Sequence, residues 1–216
     1  MTIIELLEGP LLIISAAVFV IFGGWRLISI LTTGRTHTEA RPASRPGLGA
    51  LHLILSHFLP RKGFRRNGKV WFVTVAGYAF HLGLFALLLF AAPHVAFFRE
   101  HVADIALPVL PRWAFIIAAE FAFAGLLVLW IRRFLDPVVR LISRPDDHMA
   151  AGLTFAVMLT GCMALGEQST TLRAIHLGSV EIWLLYFPFS SLMHSFTWPL
   201  SRAYTGALAA RRGTRM

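Results

Sequence analysis

Nine histidines are spread through this sequence, and four of them fall inside or at the ends of long apolar runs: His81, His94, His176 and His194. An ionisable side chain is costly to bury in an apolar run and is found there to hydrogen-bond a neighbour, carry a proton or ligate a metal. Any one of the four taken singly reads first as a core histidine bonded to its neighbour. Taken together their spacing points to paired imidazoles on facing helices, the arrangement that holds b-type haem iron in a helical bundle.

The pairing follows from depth. His176 and His194 are 18 residues apart in sequence. On one continuous helix that is five whole turns, a common face and an axial separation of about 27 Å. With Lys69 and Arg202 taken as inner boundary markers, His81 and His194 lie about 18 and 12 Å from the inner edge. His94 and His176 lie about 37 and 39 Å from it. The expectation is an inner pair, His81 with His194, and an outer pair, His94 with His176. His81 and His94 fall about 220° apart on an ideal helix and so would not share a face. Pro93 immediately precedes His94, and a proline there kinks or ends the helix. The outer ligand on that side is therefore expected from a distorted helix end.

These histidines must be carried by membrane helices. The chain has 216 residues, 56% apolar and 14% charged, with a mean hydropathy of +0.67. A soluble domain has about 25% charged residues. The composition excludes a disordered chain, a soluble enzyme and a disulfide-stapled secreted domain. Five stretches approach or exceed the roughly 18–20 apolar residues that cross a bilayer: 11–31, 70–92, 113–131, 149–166 and 175–200, the last interrupted by Pro188. Trp25, Trp71, Trp113, Trp130 and Trp198 lie near their ends, where aromatic belts form. The first stretch follows Glu5 and Glu8 rather than a basic segment and has no small-residue cleavage site. It is thus expected to be retained rather than removed as a signal peptide. The fold expected is all-α, a single polytopic membrane domain over 1–216.

Charge gives the orientation. There are 20 Lys and Arg against 11 Asp and Glu, which in a soluble protein suggests nucleic acid. Here the positive residues cluster between alternate spans. The 32–69 loop holds Arg35, Arg41, Arg45, Arg61, Lys62, Arg65, Arg66 and Lys69. Arg132, Arg133, Arg140 and Arg144 occupy the 132–148 loop, and Arg202, Arg211, Arg212 and Arg215 the C-terminal tail. Only Arg99, Arg112 and Arg173 lie in the other two connections. The positive-inside rule then puts the N-terminus outside and the C-terminus in the cytoplasm, and no nucleic-acid partner is needed. Within the 32–69 loop the apolar run 48–59 reads either as an interfacial helix on the membrane surface or as an ordered loop. The one cysteine, Cys162, reads as a small buried apolar residue.

The fifth stretch, His176-Leu-Gly-Ser-Val-Glu-Ile-Trp-Leu-Leu-Tyr-Phe-Pro-Phe-Ser-Ser-Leu-Met-His194, resembles the cytochrome b subunit of respiratory nitrate reductases, the gamma subunit family. Phe80-His81-Leu82-Gly83 in the second stretch is similar to that family too. The resemblance covers nearly the whole chain. It implies two b haems, with His81 and His194 on the inner one and His94 and His176 on the outer one. It also implies a quinol site near the outer haem, a multi-pass place in a prokaryotic cytoplasmic membrane and partner subunits on the cytoplasmic side. Those partners are iron–sulfur or molybdoenzyme-type subunits, and relatives serve complexes of sulfur metabolism as well as nitrate reduction.

Other residues have two readings each. Glu120 and Glu181 are either proton or quinone groups or interhelical hydrogen-bond partners. Arg112, Arg173 and Arg202 suit haem propionates, or serve as interface anchors. His37, His52, His57, His101 and His148 read as solvated or interfacial. No phosphate-binding loop, nucleophile elbow, HExxH or CxxC is present. The first functional reading is a quinone-linked electron carrier acting as a subunit of an oxidoreductase complex. The others are a small proton-conducting transporter and a membrane anchor without haem.

Overall fold

The computed structural model describes residues 2–33, 42–59, 68–102, 104, 107–167 and 169–214. Arg35, His37, Arg41, Arg61, Lys62, Arg65, Arg66 and Arg215 lie outside the described residues. The described residues are helical, with no β-strand among them. In chain order the helices are α1 Ile3–Leu6, α2 Leu12–Thr32, α3 Pro46–Leu55, α4 Gly68–Phe90 and α5 Ala92–His101. They continue as α6 Arg112–Leu135, α7 Pro137–Ile142, α8 Pro145–Glu167, α9 Thr170–Tyr186 and α10 His194–Arg212.

Among the described residues, four segments are long and apolar enough to cross a membrane: Ile3–Thr32, Gly68–Phe90, Arg112–Leu135 and Pro145–Leu165. They match the first four sequence stretches. Large apolar side chains stay exposed along them, among them Val20 at 65%, Leu82 at 66% and Phe121 at 58%. A helix apolar on all sides with little of itself buried suits hydrocarbon surroundings rather than water.

The fifth stretch departs from expectation. It is not one helix but α9, two 3-10 turns at Phe187–Phe189 and Ser191–Met193, and then α10. Pro188 has no N–H to donate, and Ser190 is extended at φ −112°, ψ 177°, so the α ladder cannot pass through. The five-turn register between His176 and His194 therefore does not apply, since the two residues lie on separate helices. The helix end expected near Pro93 does occur. Ala91 turns out of the helix at φ −67°, ψ 137° and α5 begins with Pro93 in its first turn, where a missing N–H costs nothing.

The chain divides into two compact units. The first comprises Met1–Glu8 and Gly63–Trp183. Its core is Leu87 of α4, Ala119, Ala122 and Leu126 of α6, and Met158 of α8. Phe80, Phe123, Phe155 and Cys162 pack around them, so Cys162 is half-buried apolar filling. Helices α4 and α6 touch backbone to backbone. A Cβ on Gly125 would lie 2.5 Å from both Ala76 O and Phe80 N, and one on Gly83 would lie 2.5 Å from Ala118 O. Small residues let membrane helices approach this closely, and van der Waals contact then holds them. Gly125→Ala is accordingly expected to lower stability by about 1–3 kcal/mol, the usual range for overpacking. Thermal unfolding in detergent checks this, and an unchanged midpoint would contradict the packing described.

Beyond α6, Asp136 caps α7 by accepting from Val138 N and Val139 N. The Val139 contact is foremost in holding its carboxyl below the usual range. Arg133 reaches Ser143 at 3.1 Å and Asp147 at 3.4 Å. His148, expected to be solvated or interfacial, is half-buried in the first turns of α8 and accepts from Trp130 Nε1 at 3.3 Å.

The second unit comprises Gly9–Lys62 and Leu184–Met216. Helix α3, which covers most of the 48–59 run, lies antiparallel to α10. Ala43 N bonds Arg211 O, Gly49 meets Gly206, and His57 stacks on Trp198 with ring centres 4.4 Å apart. The run is thus a helix followed by one 3-10 turn, Ser56–Phe58, rather than a plain loop.

Candidate functional site

The residues that the structure brings together are His94 and His176, both in the first unit. Their ring centres are 6.3 Å apart and their planes 28° from parallel. His94 sits in the first turn of α5. Because the chain re-aims at Ala91, its Nδ1 reaches back to Leu87 O at 3.0 Å, a carbonyl near the end of α4. His176 comes from α9 and its Nδ1 is 3.2 Å from Thr160 Oγ1 on α8. Gly161 makes room for the ring, since a Cβ there would lie 2.9 Å from His176 Cε1.

The other two histidines show the same local device. His81 Nδ1 is 2.8 Å from Gly77 O within α4, and His194 Nδ1 is 2.7 Å from Ser191 O at the start of α10. A carbonyl can only accept, so Nδ1 carries the proton in His81, His94 and His194. In a neutral imidazole the lone pair is then on Nε2. This is the tautomer of a metal-ligating histidine, whose other nitrogen donates to a carbonyl or similar group and fixes the ring. His81 belongs to the first unit and His194 to the second.

An imidazole nitrogen lies about 2.0 Å from a bound metal ion, so two imidazoles that shared one iron would have ring centres about 6 Å apart, close to the spacing of His94 and His176. A cluster of three or more His, Cys, Asp or Glu that would hold a bare metal ion is absent among the described residues. Two imidazoles alone would not form such a cluster.

The carboxylates and arginines separate. Glu181 on α9 is 7% exposed, and its Oε1 has no hydrogen-bond partner among the described residues. Glu120 is exposed on α6. Arg173 pairs with Glu8, and Arg112 is exposed at the start of α6. Arg202 is half-buried in α10.

Two residues that contact the break and the histidine pair were given no role from the sequence. Arg26 interrupts the first apolar stretch, and in the second unit it donates to Pro188 O at 2.9 Å and Ser190 O at 3.1 Å. These carbonyls lie within the break between α9 and α10, just before His194. A charged residue inside an apolar helix is the available signal, although its partners lie more than 160 residues away. Thr160 gave no comparable signal. A lone threonine in an apolar run usually bonds its own helix, as Thr160 does to Ala156 O at 2.9 Å.

The fold and site together define a helical protein with four membrane-length helices and a histidine pair at bis-imidazole spacing. No protein-family model matches the chain. It is 30% identical over 218 residues to a protein of Nitratidesulfovibrio vulgaris strain Hildenborough, an alignment covering 96% of this chain and 94% of that one. The chain belongs to the same family as that protein.

Proposed function

We propose that the chain is the membrane cytochrome b subunit of a quinone-linked oxidoreductase complex, similar to the gamma subunit of respiratory nitrate reductases. It passes electrons between membrane quinol or quinone and an iron–sulfur or molybdoenzyme-type partner on the cytoplasmic side. Its membrane is the prokaryotic cytoplasmic one, with the N-terminus outside. The observation that supports this best is the 6.3 Å separation of His94 and His176.

Two b haems supply reversible one-electron chemistry when bound. His94 and His176 are the ligands of the outer haem, and His81 and His194 those of the inner one. Gly77 O, Leu87 O and Ser191 O would accept from Nδ1 of His81, His94 and His194 and leave Nε2 of each for iron. Glu181, buried with an unpartnered oxygen, is the group suited to accept a proton as quinol is oxidised. Arg112 and Arg202 are the propionate partners, while Arg173 is engaged by Glu8. The basic loops, the 32–69 loop above all, attract an acidic partner subunit.

The experiment is to add a reduced quinone analogue to purified protein and follow the absorption spectrum. The expected result is reduction of b-type haem bands. Colourless protein from haem-replete cells would refute the proposal and favour a proton-conducting transporter built on Glu181.

A further inference from the structure

The hydroxyl of Thr160 joins two helices at a point that the electron-carrier reading leaves unused. It lies 3.2 Å from His176 Nδ1 and 2.9 Å from Ser179 Oγ. Ser179 Oγ is also 2.7 Å from His176 O, to which it can donate. The Thr160 hydroxyl has the carbonyls of Ala156 and Val157 at 2.9 and 3.1 Å to donate to. With Nε2 given to iron, His176 keeps its proton on Nδ1 and donates it to Thr160. All of these groups lie in the first unit.

His176 differs from the other three histidines in having a side-chain hydroxyl at Nδ1, beside the Val157 carbonyl that also bonds its ring. A carbonyl partner is supplied by the fold whatever the side chain. A hydroxyl partner on a neighbouring helix depends on one residue and can be tuned by substitution. The contact also fixes the ring against α8, where Gly161 leaves space for it.

We propose that Thr160 is the positioning residue of His176, and that with Ser179 it sets the redox potential of the outer haem. This rests on the electron-carrier reading above. A hydrogen bond accepted from Nδ1–H increases the basicity of the coordinating nitrogen and favours the oxidised iron. Removing it should favour the reduced form.

The test is a potentiometric titration of the purified protein, monitored by absorbance, for wild type, Thr160→Val, Thr160→Ser and Ser179→Ala. Thr160→Val is expected to raise one midpoint and leave the other in place. A tenfold change in the oxidised-to-reduced ratio reads as a shift of about 59 mV for one electron. Thr160→Ser keeps the hydroxyl and should titrate like wild type. Ser179→Ala, which leaves the Thr160 contact in place, should shift the same midpoint by less. Loss of one haem in Thr160→Val with retention in Thr160→Ser would also support the assignment. Two haems at wild-type midpoints in Thr160→Val would overturn it, as would equal shifts of both midpoints. If Thr160→Val does not fold, an unmoved midpoint in Ser179→Ala overturns it instead. A wild-type protein without haem would overturn the electron-carrier reading itself, a distinct result.

Discussion

Alanine at His176 is expected to remove one of two b haems, lowering the reduced-minus-oxidised absorbance by about half. The remaining haem should keep its own midpoint, because His81 and His194 are untouched. His94→Ala should give the same spectrum, since each residue supplies half of one axial pair and the two rings are 6.3 Å apart. Loss of one ligand leaves iron with an open position, so Met at either site should retain haem with an altered spectrum rather than lose it. Electron entry from quinol should fall with the outer haem. Two different outcomes, one haem lost in His176→Ala and the other in His94→Ala, would disprove the pairing.

The second large effect concerns stability. The break between α9 and α10 leaves carbonyls without α-helical partners, and Arg26 bonds two of them, Pro188 O and Ser190 O. A hydrogen bond to a charged group is worth about 1.5–3 kcal/mol, and an unpaired buried carbonyl carries its own desolvation cost. Arg26→Leu is therefore expected to destabilise the protein by about 3 kcal/mol or more. Because His194 follows the break directly, the same substitution should loosen the inner haem before the outer. Lysine, with one compact donor group, should recover only part of the loss. Denaturant unfolding in detergent, with haem retention followed in parallel, measures both. Wild-type stability in Arg26→Leu would show that the break is satisfied by other groups.

The long apolar helices were legible because hydropathy and length are properties of contiguous sequence. The helix end before His94 was legible for a similar reason, since Pro93 acts on its own neighbours. The break at Pro188 was only half legible. The proline could be seen, but its effect extends through Ser190 to Met193 and depends on Arg26, whose position in space no local pattern encodes. The register drawn through it from His176 to His194 consequently failed. In the site itself, His94 with His176 was paired from depth alone, and those two rings do come together. Thr160 was illegible because nothing in an apolar run marks which hydroxyl faces a neighbouring helix. The α3 helix, read equally as a loop, owes its packing to Gly49 against Gly206, a contact across most of the chain.

The most direct measurement is the haem content of the purified protein, taken as haem b per polypeptide by the pyridine haemochrome spectrum. The account predicts two per chain, falling to one in His176→Ala and to one in His194→Ala. Protein that is folded, expressed in haem-replete cells and free of haem would contradict it.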